Sequence, residues 1–239
     1  MTSAGKTCYA LLLGSVEYRR ALELQMQVYE MKKKGFREDV LLVLEHPPTI
    51  TLGRNGRWLH LLASEEELAA RRVQCFEVDR GGDITFHGPG QVVGYPLLQL
   101  EGRERDVHRY MRCLEEVLLR VLEAYGIESG RRQDLTGVWT GQGKIAAMGV
   151  HLSRWITRHG FALNVRTDLA YFNLIVPCGI AGEGVASMSS VLRRNVEVRE
   201  VADLLVQEFS SVFERRMVRV SEGELHKAMQ THAHQIAVA

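Results

Sequence analysis

Residues 135–165 place the tightest limit on the fold. Residues 135–140, 144–152 and 155–165 are runs rich in apolar, aromatic and β-branched side chains, and only Gly141-Gln142-Gly143 and Ser153-Arg154 separate them. A parallel pair needs a crossover of about a dozen residues or more, so links this short predict three antiparallel neighbours. Around this hairpin pair the rest of the chain must supply the layers that cover the strands.

The flanking sequence supplies them. Residues 8–13 read as a strand, and Ala21, Leu24, Val28 and Met31 then recur at the spacing of one helical face, up to a stop at Gly35 that Lys32, Lys33 and Lys34 suit electrostatically. Residues 40–44 and 49–52 are β-rich on either side of His46, Pro47 and Pro48, which predicts an edge or a bend. Ser64 and Glu67 form a capping box for a short helix through Arg72, followed by a strand over 73–78. Four glycines and a proline fall between Arg80 and Gly90, where a connecting loop is expected, with a strand over 91–100 beyond. A second helix begins near Asp106, directs Tyr110, Leu114, Val117, Val121 and Tyr125 inward, and ends at Gly126; a third carries Val201, Leu205, Phe209 and Val212. At 239 residues and 46% apolar content, the chain has material for one sizeable core. These readings predict a single α+β domain over 1–220, with mixed or antiparallel sheet and flanking helices, and a loosely held polar tail over 221–239.

Thirty Lys and Arg against 29 Asp and Glu leave a net charge of +1, no field to gather nucleic acid or an anionic membrane, so neither is an expected partner. Four scattered cysteines, Cys8, Cys75, Cys113 and Cys178, form no CxxC pair and no disulfide framework, which fits a reducing cytoplasm. The apolar run over 8–13 is too short for a signal peptide or a membrane span.

Cys178 stands in Val-Pro-Cys-Gly-Ile, a turn that can present its sulfur as a nucleophile; the competing reading is a small buried hydrophobe. Cys8, Cys75 and Cys113 lie in apolar runs where packing accounts for them. Lys144 opens Lys-Ile-Ala-Ala-Met-Gly-Val, with no acidic residue between Asp134 and Asp168. A lysine in such company either snorkels or works as a base, and beside a thiol it would favour the thiolate. Residues 80–91 combine a cation, hydroxyl and imidazole with glycines that let backbone approach a ligand, although a plain loop has the same composition. No HExxH or paired Cys/His spacing makes His87, His232 or His234 a metal ligand. Gly141-Gln142-Gly143-Lys144 is not a phosphate loop: Val138 and Ile145 occupy positions that need glycine and Ser or Thr. Its GxGxxA match to Ala146 runs into a strand where a dinucleotide turn must open a helix.

The motifs His46-Pro47-Pro48-Thr49, residues 80–91, Gly143-Lys144-Ile145-Ala146 and Pro177-Cys178-Gly179-Ile180 occur in the order found in the lipoyl(octanoyl) transferases, which the chain resembles over about 8–215. Phe86 stands where that family often has Tyr. The resemblance implies the α+β catalytic domain shared with biotin and lipoate protein ligases. It makes Cys178 the acyl-thioester nucleophile and Lys144 its activating partner. The acyl pocket would comprise Arg80, Gly81, Gly82, Asp83, Ile84, Thr85, Phe86 and His87, then Ala147, Met148 and Gly149, then Gly160, Phe161 and Ala162. It implies octanoyl acyl carrier protein as donor and, as acceptors, the lipoyl domains of 2-oxoacid dehydrogenase complexes and the glycine cleavage H protein. No ATP, other cofactor or metal is implied.

On this reading an acyl-enzyme divides one transfer into two steps, with loop amides near Gly179 and donors from Arg80, Thr85 and His87 expected around the oxyanion. Ala147 and Gly149 are expected to leave room for the eight-carbon chain. An ATP-dependent lipoate or biotin ligase on the same scaffold, an acyl-binding adaptor without turnover, and a cysteine amidotransferase moving octanoate between lipoyl proteins are the alternatives.

Overall fold

The computed structural model describes residues 6–133, 135–176 and 184–238; Asp134 and residues 177–183, Cys178 among them, lie outside it. Strand β1 (Lys6–Ser15) leads through helix α1 (Tyr18–Lys33) to β2 (Asp39–Glu45), a right-sized crossover that lets β1 and β2 pair in parallel. The chain then leaves that sheet at Pro47 and Pro48, so the prolines mark a bend, and β3 (Thr49–Leu52) starts a second sheet. Helix α2 (Glu65–Ala70) is capped by Ser64, whose hydroxyl accepts from Glu67 N at 3.2 Å, and leads into β4 (Gln74–Glu77). Strand β5 (Ile84–His87) lies within the expected glycine loop and is followed by β6 (Gln91–Leu97).

Helix α3 (Val107–Ala124) starts at Asp106, whose carboxylate accepts from Arg109 N at 3.0 Å, and Gly126 takes the positive φ beyond its end. After β7 (Gly130–Arg132) come β8 (Leu135–Thr140), β9 (Gly143–Ser153) and β10 (Ile156–Asn164), each antiparallel to the next as the short links require. Helices α4 (Met188–Leu192) and α5 (Val198–Phe213), strand β11 (Arg215–Arg219) and helix α6 (Glu222–Val238) complete the chain.

Alternation along the strands decides the layering. Leu41 and Val43 of β2 pack on one face with α3 and α5, while Val40, Leu42 and Leu44 pack on the other with α1. A strand apolar on both faces has to be covered on both. The large sheet, in the order β11-β1-β2-β6-β10-β9-β8-β7, is accordingly sandwiched between helices, and the small sheet, β4-β3-β5, has a core of its own with Phe172, Leu174 and Ile175.

Three expectations change. The segment after Ser221 is a helix: Leu225 and Met229, four residues apart, are buried against the α1 layer, and two such residues secure a helix whose other faces are polar. Lys32 is buried and pairs with Asp39 Oδ1 at 2.8 Å in addition to facing the helix end. Cys75 is exposed, since β4 is an edge strand whose pattern packing does not explain, whereas Cys8 is buried and Cys113 packs against the main core. Among the described residues no helix is long and apolar enough to cross a membrane.

Candidate active site

The glycine-rich stretch becomes a site because β5 and the hairpin β9–β10 approach each other. Arg80, buried, clips the loop to β3: Nη2 donates to Thr51 O and Thr51 Oγ1, both at 2.8 Å, and Nη1 donates to Gly81 O at 3.0 Å. Gly81 N donates to Val150 O at 2.8 Å, which lays the loop along β9. Only glycine serves at position 149, because a Cβ there would come within 2.6 Å of Gly81 O. Gly149 thus makes room for the loop as well as lining the cavity beside it. Asp83 is held from both sides, accepting from Ile84 N at 2.7 Å and from His60 Nδ1 at 2.6 Å.

Period-two alternation in β5 turns Thr85 and His87 toward the hairpin and sends Phe86 the other way, where it stacks on Tyr171 at 4.7 Å in the small core. The resulting cavity, about 470 Å³ with its open mouth, is lined by Arg80, Gly82, Asp83, Ile84, Thr85, His87, Ala147, Met148, Gly149, Gly160 and Phe161, joined by Tyr18, Tyr95 and His159. Gly81 and Phe86 of the expected pocket do not line it. Thr85 and Ala147 are shared with an adjoining cavity that also holds Lys144, Ala162, Gln91, Asn164 and Val185.

Lys144 sits at the head of β9 with its ammonium 5.3 Å from the centre of the Trp139 ring. A Cβ at Gly137 would meet Lys144 Cε at 2.5 Å, so that glycine, at φ +133°, clears the path of the lysine side chain. The chain returns beside it at Gly184: Lys144 N donates to Gly184 O and Ala186 N donates to Lys144 O, each at 2.9 Å. Cys178, the expected nucleophile, lies outside the described residues, in the segment that ends at this pairing.

The imidazoles are held neutral. His87 Nδ1 lies 2.8 Å from Gln91 Oε1; Gln91 Nε2 donates to Phe86 O at 3.1 Å and to Asn164 Oδ1 at 2.9 Å, and Asn164 Nδ2 donates to Ala186 O at 3.0 Å. With Gln91 Nε2 spent on acceptors, Oε1 must accept, so Nδ1 carries the proton. Nε2 of His87 has only a lone pair to offer, which reverses the expected donor role. Burial above all, then the neighbouring His46, pushes the pKa of His87 down to about 3. His46 is likewise buried, donates Nδ1–H to Val16 O at 2.6 Å, accepts from Tyr95 Oη at 2.8 Å, and is pushed by burial down to about 4. Tyr18 stacks on His87 with ring centres 6.1 Å apart.

Tyr18, Tyr95, His159 and Asn164 therefore belong to the site although sequence reasoning did not gather them, and Gln91, the last residue of the expected 80–91 segment, joins them. The available signal was a set of polar residues inside the apolar run 155–165: Thr157, Asn164, Arg158 and His159, the last two side by side. Arg158 and His159 meet Asp79, next to Arg80: His159 Nε2 donates to Asp79 Oδ1 at 2.7 Å, and Arg158 pairs with Oδ2. The His159 hydrogen bond and then Arg158 hold the Asp79 carboxyl well below the usual carboxylate range. Among the described residues no group of three or more His, Cys, Asp or Glu side chains is placed to hold a metal ion.

A family model for the lipoyl protein ligase A/B catalytic domain matches residues 17–210. The chain is 49% identical to an octanoyltransferase of Solibacter usitatus, over 89% of this chain and 96% of that one. It is 47% identical to an octanoyltransferase of Koribacter versatilis, with 87% and 85% covered. Among solved structures, a lipoate protein ligase of Thermoplasma acidophilum with bound lipoic acid superposes with a TM-score of 0.72 over 96% of this chain and 94% of that one; at 16% identity the likeness is one of fold. The matched span runs from the start of α1 nearly to the end of α5 and takes in every cavity residue described above, so the chain belongs to the lipoyl protein ligase A/B catalytic-domain family, with the octanoyltransferases it matches nearly end to end.

Proposed function

We propose that this protein transfers an octanoyl group from an acyl-carrier thioester to a lysine amine of lipoyl domains, the octanoyl transfer of protein lipoylation. The observation that carries the reading is the adjacency of the two cavities: Thr85 and Ala147 line both the open-mouthed trough between β5 and β9–β10 and the space beside Lys144. An octanoyl chain gains roughly 0.8 kcal/mol for each methylene it buries there. The donor is octanoyl acyl carrier protein. The acceptors are the lipoyl domains of 2-oxoacid dehydrogenase complexes and the glycine cleavage H protein. We take residues 1–220 as the catalytic unit, with the helix after Ser221 docked on it through Leu225 and Met229.

Chemistry proceeds through Cys178. Its thiolate attacks the thioester carbonyl, a C–S bond forms, and the carrier's thiol leaves with the proton that Cys178 gave up. The acceptor amine then attacks the acyl-enzyme; the C–N bond forms, the C–S bond breaks, and Lys144 passes the amine proton to the departing sulfur. Because the thioester is already activated, no nucleotide enters. His87 Nε2, an acceptor, is suited to orient the N–H of the incoming amine and not to stabilise an oxyanion. The test is transfer from purified octanoyl acyl carrier protein to a lipoyl domain in nucleotide-free buffer. Full turnover supports the reading, and turnover only from free octanoate with ATP replaces it with a ligase.

A further inference from the structure

Along β10 the side chains alternate strictly up to a point. Phe161 and Leu163 pack toward α3 and α5, Phe161 also lining the first cavity, and Ala162 faces the α1 side with the cavities. Alternation would send residue 159 toward α3 and α5. Instead His159 takes φ +55°, a left-handed backbone that only glycine adopts without cost, and its ring lies edge-on to Tyr95 with centres 6.5 Å apart. Its main-chain N–H is caught by Gln25 Oε1 at 2.8 Å, and Asp79 fixes Nε2. Nδ1 is buried with no hydrogen-bond partner among the described residues. A strained backbone and a stranded polar atom at one cavity-lining residue are features that packing alone does not favour.

The position of His159 along the hairpin gives those features a use. Ala147 and Ala162 are directly paired, and Ala147, with Thr85, lines both cavities at the end nearer Lys144. His159 is three residues further, about 10 Å at the usual rise of a strand. An extended octanoyl chain, seven C–C bonds of ~1.5 Å in zigzag, reaches about 9 Å. We propose that His159, swung onto the cavity face by its left-handed backbone and clamped by Asp79, is the chain-length gauge of the acyl cavity: its ring meets the terminal methyl of an eight-carbon chain and excludes longer ones. This rests on the octanoyl-transfer reading and adds to it the residue that sets the length.

The test compares octanoyl, decanoyl and dodecanoyl acyl carrier protein as donors to a lipoyl domain for wild type, His159→Gly and His159→Asn. Both replacements tolerate the backbone conformation. Expected is a rise of about tenfold or more in the dodecanoyl-to-octanoyl ratio of kcat/KM for His159→Gly, with a smaller rise for His159→Asn. A ratio unchanged in folded variants overturns the gauge. Calorimetry on wild type is independent of variant folding: octanoate is expected to bind about tenfold or more tightly than dodecanoate, and equal affinities overturn the proposal. A wild type that transfers no octanoyl group at all refutes the transfer reading instead, and the calorimetric comparison still decides the gauge.

Discussion

Gln91 Oε1 receives the Nδ1 proton of His87 at 2.8 Å because Gln91 Nε2 already donates to Phe86 O and Asn164 Oδ1. The amide has one orientation and the imidazole one tautomer, so His87 faces the cavity with a lone pair. Replacing Gln91 with Ala strands the Nδ1–H, the Phe86 carbonyl and the Asn164 carbonyl together. Chemical denaturation is expected to show a loss of about 1–3 kcal/mol, the range for a buried polar group left unpaired. The rate of transfer to the acceptor amine should fall with it. His87→Ala is expected to slow transfer to the acceptor amine too, and to destabilise more than a loop truncation would, because His87 is buried in β5. A Gln91→Ala protein as stable and as fast as wild type would remove the network from the account.

The neutral imidazoles give a signed pH dependence. His87 and His46 titrate near 6.5 when unfolded, and at about 3 and about 4 in the folded protein. Between those values the unfolded chain binds protons that the folded chain does not. Their contribution is therefore fully present above pH ~6.5 and lost as pH falls through that window, with a limiting slope of about 1.4 kcal/mol per pH unit for each group. Denaturation midpoints measured from pH 7.5 to 5 should decline in wild type and decline less steeply in His87→Gln. A flat wild-type profile would contradict burial in the neutral form.

Asp39 anchors the far end of the fold. Fully buried, it accepts from Lys32 at 2.8 Å, from Arg215 Nε at 2.9 Å and from Gln99 N at 2.9 Å, tying α1, β2, β11 and the end of β6 together. Asp39→Ala leaves the buried Lys32 without its counter-charge and Arg215 with Glu104 alone, and is expected to cost about 3–5 kcal/mol, read as a large drop in melting temperature. Surface pairs such as Arg199–Asp203 should contribute about 1 kcal/mol or less.

For Lys144, the expected signature is lost transfer with a melting temperature near that of wild type. Its side chain passes over Gly137 toward Trp139 and forms none of the three cores. Lys144→Ala should also slow alkylation of Cys178 at neutral pH. Alkylation at the wild-type rate would show that Lys144 does not activate that thiol.

How much of this was legible depended on how local the cause is. The antiparallel order of β8, β9 and β10 follows from links too short for anything else, and Asp106 and Gly126 announce both ends of α3. Strand β5 was hidden because four residues among glycines carry no periodicity of their own; pairing with β3 makes them a strand. Helix α6 was hidden because its polar composition outweighs the two residues that dock it. At the site, Lys144 and the segment around Arg80 stand out by chemistry alone. Tyr18, Tyr95 and His159 come from three distant elements, and only the assembled fold brings them together. The donor-to-acceptor reversal at His87 is decided by Gln91 and Asn164, whose roles no local pattern records.

The central claim is covalent transfer through Cys178, and intact-mass spectrometry with peptide mapping after exposure to octanoyl acyl carrier protein tests it most directly. The account predicts one hydroxylamine-sensitive octanoyl adduct, on Cys178, that disappears when a lipoyl domain is added. An adduct on Cys8, Cys75 or Cys113, or rapid turnover by a Cys178→Ala protein, would contradict it.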